Sequence, residues 1–178
     1  DNYTYKAQVR NIAVMELLFA TGVRVSELCN LKCSDIDLQN GLVKVFGKGS
    51  KERIIQICQR EVLTALKNYF RLFKPVTSFF FFFLGLPLAP QSVRLLIKKY
   101  ARAARIDKRI TPHTFRHTFA TLLLEEDVDI KYIQNLLGHS TIATTQIYTH
   151  VNAEKQKKIL STKHPRRKMN FDDKQVIA

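Results

Sequence analysis

Apolar residues fall into short stripes separated by turn residues, and the spacing within each stripe predicts an element. Ile12, Met15 and Leu18/Phe19 recur at helical spacing across residues 11–20, and Thr21-Gly22 ends that helix. Val23-Arg24-Val25-Ser26-Glu27-Leu28 restarts a short helix, with Ser26 as its expected cap. Ser34-Asp35-Ile36-Asp37 reads as a turn or irregular link. Leu42-Val43-Lys44-Val45-Phe46 and Arg53-Ile54-Ile55-Gln56-Ile57 read as strands. The basic turn Gly47-Lys48-Gly49-Ser50-Lys51 joins them, which predicts a hairpin with a lysine held at its tip between two glycines. Val62, Leu63, Leu66, Tyr69, Phe70 and Phe73 mark a helix that stops before Pro75. Ala89-Pro90 opens another, with Val93, Leu96, Ile97, Tyr100, Ala101 and Ala104 on its buried side. Thr111-Pro112 is a capped helix start. Ile130, Ile133, Leu136 and Leu137 predict a last amphipathic helix, stopped by Gly138. Helices outnumber strands, so the expected fold is mostly α with a small antiparallel β-sheet, an α+β arrangement.

Two segments do not fit this pattern. Residues 79–83 are five consecutive phenylalanines, read either as an edge or buried strand or as a loop with a hydrophobic surface. Left uncovered, such a run is an aggregation hazard. From Asn152 the chain reads as a capped helix through residues 155–160, then as His164-Pro165-Arg166-Arg167-Lys168. Either that end is a solvated basic tail or its helix docks on a neighbouring protomer.

Charge narrows the function classes. Across 178 residues, 29 Lys+Arg stand against 15 Asp+Glu, a formal +14, which predicts a polyanionic partner. The apolar run 79–88 is too short to span a bilayer and contains Gly85 and Pro87. No basic amphipathic anchor or signal peptide opens the sequence, so nucleic acid is favoured over a membrane surface. The three cysteines, Cys29, Cys33 and Cys58, lack metal-ligand spacing and read as reduced thiols of a cytoplasmic protein.

The candidate chemistry is concentrated between Thr111 and Tyr148. His113 and Arg116 lie three apart on one helix, His139 follows the Gly138 stop, and Tyr148 closes a short polar segment. Histidines, an arginine and a tyrosine without a carboxylate among them suit an oxygen-rich anion such as phosphate. Transfer of a phosphodiester to a protein hydroxyl needs an exposed nucleophile near cations, because a phenol ordinarily titrates near pKa ~10. Paired guanidinium donors would hold the non-bridging oxygens as charge gathers there. A lysine on a hairpin tip would protonate the leaving oxygen. Side chains alone supply every part of this scheme, so it implies no metal and no other cofactor.

These pieces together resemble the catalytic domain of the tyrosine recombinase family, which includes phage integrases and Xer-type enzymes. The matching segments are Thr21-Gly22-Val23-Arg24-Val25-Ser26-Glu27-Leu28, Gly47-Lys48-Gly49-Ser50-Lys51-Glu52-Arg53, Thr111-Pro112-His113-Thr114-Phe115-Arg116-His117, Leu136-Leu137-Gly138-His139 and Tyr148-Thr149-His150. They occur in the family's order and spacing across roughly residues 8–165. The resemblance implies a site-specific recombinase or integrase that cuts and rejoins DNA through a 3′-phosphotyrosyl link, without metal or ATP. By it, Arg24, Lys48, His113, Arg116 and His139 would be catalytic and Tyr148 the nucleophile. Lys51 and Arg53 would contact DNA. Glu27 would orient Arg24 or cap its helix, and His117 would be a packing or supporting residue. The implied partners are double-stranded DNA carrying a recombination site and further copies of the chain, as a tetramer joined through the C-terminal helix. Residues 1–165 would be the catalytic domain and 166–178 a basic flexible tail, with the family's N-terminal core-DNA-binding domain absent from this chain.

Three other readings compete. A DNA-binding regulator would use residues 130–148 as a helix-turn-helix, leaving Arg24, Lys48 and the His113/Arg116 pair unexplained. A metal-dependent nuclease would use His113, His117 and His139, but the central acid of such motifs is missing. A type IB topoisomerase would run nearly the same chemistry on one duplex. Tyr69, Tyr100 and Tyr132 lie on apolar stripes and read as packing residues.

Overall fold

The structure is a computed structural model and describes residues 2–47, 52–74, 78–138 and 150–169. Its first helix, α1 (Asn2–Thr21), runs nine residues further towards the N-terminus than its apolar stripe. Those added residues include Lys6, Ala7, Gln8 and Arg10, good helix formers that need no buried face. Ala13, Val14, Leu17 and Leu18 are fully buried because α1 packs against several helices, chiefly α3 (Arg60–Phe73) and α5 (Pro112–Glu125). After α1 comes the short helix α2 (Val25–Cys29), whose outer partner is α4 (Pro90–Ala103). Among the described residues, helices α6 (Ile130–Leu137) and α7 (His150–Lys163) complete the α-helical part.

The hairpin is present where alternation predicts it, as β2 (Leu42–Phe46) and β3 (Glu52–Gln56) in antiparallel register with Val43 opposite Ile55. Its tip, residues 48–51, lies outside the described residues. Val43, Val45 and Ile55 point into the core, each contributing roughly 1.5–3 kcal/mol by burial. Ser34–Asp37 is more ordered than a link: a 3₁₀ turn (Cys33–Asp35) leads into a two-residue strand, β1 (Ile36–Asp37), paired with β2. Two residues are too few to leave an alternation in the sequence. The outer edge of β3 is closed by a side chain. Gln156 of α7 accepts from the Gln56 amide at 2.7 Å and donates to the Ile54 carbonyl at 2.9 Å. Gln59 adds a bond to the Leu160 carbonyl at 2.8 Å, so α7 is fastened to its own chain.

The phenylalanine run belongs to both readings. Phe80 and Phe81 are buried against Tyr69, and Phe82 meets the edge of Phe73. Only Phe82 and Phe83 are strand (β4), paired with Leu86–Pro87 (β5) around Leu84-Gly85. Both turn residues have positive φ (50° and 79°), the mirror-image turn that two-residue hairpins require. Burial pushes the Tyr69 hydroxyl up to about 12, as expected of a packing residue.

Several boundaries and faces differ from expectation. Ser26 is not the cap of α2; Arg24 holds that position, because the Glu27 carboxylate accepts from its backbone amide. Ala104 is exposed past the end of α4, and Ile130 is 56% exposed at the first turn of α6. Asn152 lies inside α7, not at its start. Residues 164–168 are not simply solvated: His164, Pro165 and Arg166 are buried at the entrance to a 3₁₀ turn (Pro165–Lys168). His164 meets the Ala20 carbonyl at 2.9 Å, and Arg166 grips Glu16 through two bonds of 3.0 Å. Lys168 pairs with Glu126 and stays exposed. Among the described residues, no helix is long and apolar enough to cross a membrane.

Candidate functional site

The site starts where α1 ends. The Thr21 hydroxyl turns back to the Leu17 carbonyl at 2.6 Å, and Gly22 takes a left-handed φ of 60°. A Cβ on Gly22 would sit 2.7 Å from both Leu137 and Phe119, so only glycine lets α5 and α6 approach this closely. The chain then enters α2 at Arg24. Glu27 does both things expected of it: it caps the Arg24 amide at 2.8 Å and holds the guanidinium at 3.0 Å.

Arg116 comes from the first half of α5, whose start is fixed as predicted. The Thr111 hydroxyl accepts from the Thr114 amide at 3.3 Å, and the Thr114 hydroxyl accepts from the Thr111 amide at 3.1 Å, around Pro112. Arg116 is 5% exposed and donates to the carbonyls of Gly22 (2.7 Å) and Leu137 (2.6 Å). Arg53, on β3, donates to the Leu136 carbonyl at 2.8 Å and to both oxygens of Glu27 at 3.1 and 2.9 Å. Arg24 reaches the Gly138 carbonyl at 3.5 Å. Three arginines thus engage three successive carbonyls at the end of α6, where helix carbonyls lack intrahelical partners and carry partial negative charge. Gly138 closes that end with φ 65°, as its place in the sequence predicts.

Electrostatics set the character of the site. Burial works against the Glu27 carboxylate, yet its bonds from Arg53 and Arg24 outweigh this and keep it below the usual carboxylate range. Arg116 is brought down to about 10, mainly by burial and then by repulsion from Arg24 and Arg53, so it remains charged at neutral pH. Among the described residues, three guanidinium charges face one carboxylate, which leaves two positive charges in excess. Of the three, Arg24 is the most open, with its side chain 42% exposed. A cationic cluster with one exposed fork suits a phosphate or another oxygen-rich anion.

The structure therefore brings Arg24, Arg116 and Glu27 together with Arg53. His113 is exposed near the start of α5. His117 is exposed too, not packed, because four residues along a helix return to the same face. Arg53, expected to contact DNA, has its side chain turned towards Glu27 and only 13% exposed. Alternation along β3 held the signal, since Arg53 shares a face with fully buried Ile55. Gln156 was missed altogether, because a lone glutamine in a charged helix carries no periodic mark. Lys48, Lys51, His139 and Tyr148 lie outside the described residues.

A fold that assembles motif-borne arginines in this way defines a class, and comparison with known proteins identifies it. The chain belongs to the phage integrase family, whose model matches residues 1–155. It is 55% identical over 174 residues to a tyrosine recombinase of Agathobacter rectalis, covering 96% of this chain and 57% of that protein. Among solved structures, it resembles XerA recombinase at 34% identity and a TM-score of 0.70, over 96% of this chain and 61% of the other. It also resembles XerH site-specific recombinase bound to its difH substrate in a pre-cleavage complex, at 29% identity and a TM-score of 0.69, over 84% of this chain and 45% of the other. The chain spans 57% of the length of the Agathobacter rectalis protein and 61% of that of the XerA chain.

Proposed function

We propose that this chain is the catalytic domain of a site-specific DNA recombinase, which cuts and rejoins strands through a covalent phosphotyrosyl intermediate. The observation that carries the reading is the convergence of Arg24 and Arg116 at the end of α6, with cationic charge in excess. In this scheme the two guanidinium groups hold the non-bridging oxygens of the scissile phosphate, and His113 and His139 add donors. The Tyr148 phenol oxygen attacks phosphorus and gives up its proton. The bond to the 5′ oxygen breaks, and Lys48 protonates that leaving oxygen. The bond energy stays in the 3′-phosphotyrosyl link, and a free 5′ hydroxyl reverses the step on a partner strand.

The same reading takes residues 1–165 as the catalytic domain and assigns the DNA clamp to an N-terminal domain outside this sequence. Its partners are DNA with a specific site and further copies of the chain, in a tetramer joined through the C-terminal helix, in a bacterial cytoplasm. The XerH complex on its substrate supports the DNA partner by similarity.

A nicked DNA substrate whose cleavage product diffuses away tests the proposal. The chain should become covalently attached to DNA, and Tyr148→Phe should abolish attachment while leaving binding nearly intact. Covalent product from Tyr148→Phe would move the nucleophile elsewhere, and none from the unaltered chain would refute the transfer chemistry.

A further inference from the structure

Arg53 has no part in the scheme above, yet it is the most fully engaged arginine of the cluster. Its Nε donates to the Leu136 carbonyl, and its Nη1 and Nη2 meet the two oxygens of Glu27, 26 residues earlier in the chain. Each oxygen of Glu27 also takes one bond from Arg24, at Nη1 and at the backbone amide. Two guanidinium groups therefore share one carboxylate. A carboxylate paired with Arg24 alone would cancel that arginine's charge, and the cluster would lose part of its pull on an anion. With Arg53 supplying a second positive charge, Glu27 can aim Arg24 while leaving net cationic charge beside it.

The fit on the other side is equally close. A Cβ on Gly138 would lie 2.8 Å from the Arg53 Nη1, so this glycine leaves room for the guanidinium as well as ending α6. Arg53 thereby connects three pieces of the site: α2 through Glu27, the hairpin strand β3 that carries it, and the end of α6 that leads to His139.

We infer that Arg53 is a positioning residue, the countercharge that lets Glu27 orient Arg24 without neutralising it, and not a contact to the DNA backbone. The inference deepens the recombinase reading and rests on it.

The test compares Arg53→Gln, Glu27→Gln and the double variant, with Arg53→Lys as a second probe should the glutamine variant fail to fold. Covalent attachment is timed at saturating nicked DNA, and affinity for uncut DNA is measured across a salt series. Arg53→Gln should slow attachment by roughly tenfold or more, the scale of coupling within one hydrogen-bonded network. The slope of log affinity against log salt should stay unchanged, whereas loss of a phosphate contact would reduce it by about 1. Removing the Glu27 charge should then restore part of the rate, so the double variant outpaces Arg53→Gln alone. Arg53→Lys keeps the charge without the planar fork and should fall between the unaltered chain and Arg53→Gln. A reduced salt slope, or a double variant no faster than Arg53→Gln alone, overturns the inference. If even the unaltered chain attaches to no DNA, the recombinase reading fails. The salt slope would still decide whether Arg53 faces DNA.

Discussion

Two glutamates in this fold are each gripped by an arginine fork, with different consequences. At the C-terminal end, Arg166 meets Glu16 through Nε and Nη2, both at 3.0 Å, and donates to the Met169 carbonyl. Among the described residues this pair is a closure: it fastens the chain after α7 back onto α1. At the other site Glu27 holds Arg53 in the same bidentate manner but also takes Arg24, with Arg116 near enough for its charge to be felt. There the count does not balance. A buried ion pair contributes little until a partner is removed, whereas surplus charge on rigid forks is prepared for an anion from outside. Counting charges across each cluster separates a fastening from a binding site, where burial alone makes them look alike.

The comparison can be broken most sharply at Arg24. Arg24→Ala should slow covalent attachment to DNA by about 10²–10³-fold, the usual effect of losing one oxyanion donor. Melting should change little, since this side chain is partly exposed; an unchanged rate would show that the excess charge is not used.

Arg166→Ala should do the reverse. It strands the Glu16 carboxylate, and the loss of stability should be about 3 kcal/mol, read by denaturant unfolding. At a temperature where the variant is folded, its attachment rate should match that of the unaltered chain; a large fall would join the two sites functionally.

A smaller effect tests the closure through pH. His164 is pushed down to about 4 from its ordinary 6.5 by burial, opposed by its bond to the Ala20 carbonyl and reinforced by Arg166 beside it. The unfolded chain therefore binds a proton there that the folded chain refuses between those two values. Stability should fall as pH drops through that window, by at most about 1.4 kcal/mol per unit. Melting temperatures measured from pH 7 to 4 should decline less steeply in His164→Gln, and parallel profiles would remove His164 from the account.

Local chemistry had already marked much of this site. The Thr111-Pro112 start, the Gly138 stop, the β2–β3 pairing and the 3.6-residue stripes are written within a few neighbours of each position, so reading along the chain finds them. The same holds for Glu27 and Arg24, three residues apart. The charge of Arg53 and its place beside a basic turn suggested DNA, while its face of the strand turns it towards Glu27. Arg166 does not fit the reading of that end as a solvated tail, because a run of basic side chains looks solvated until a carboxylate is known to wait for one of them.

The amino-acid order alone determined the longer elements, the Thr111 and Gly138 caps and the family motifs, because each depends on torsional preferences and side-chain spacing over one or two turns. Tertiary structure decided which cation meets which acceptor. Arg53 finds Leu136 across 83 residues, Arg116 finds Gly22 across 94, and Arg166 finds Glu16 across 150. No local pattern encodes those choices. They follow from packing, which buries the charged groups together and makes each find a partner within hydrogen-bond reach.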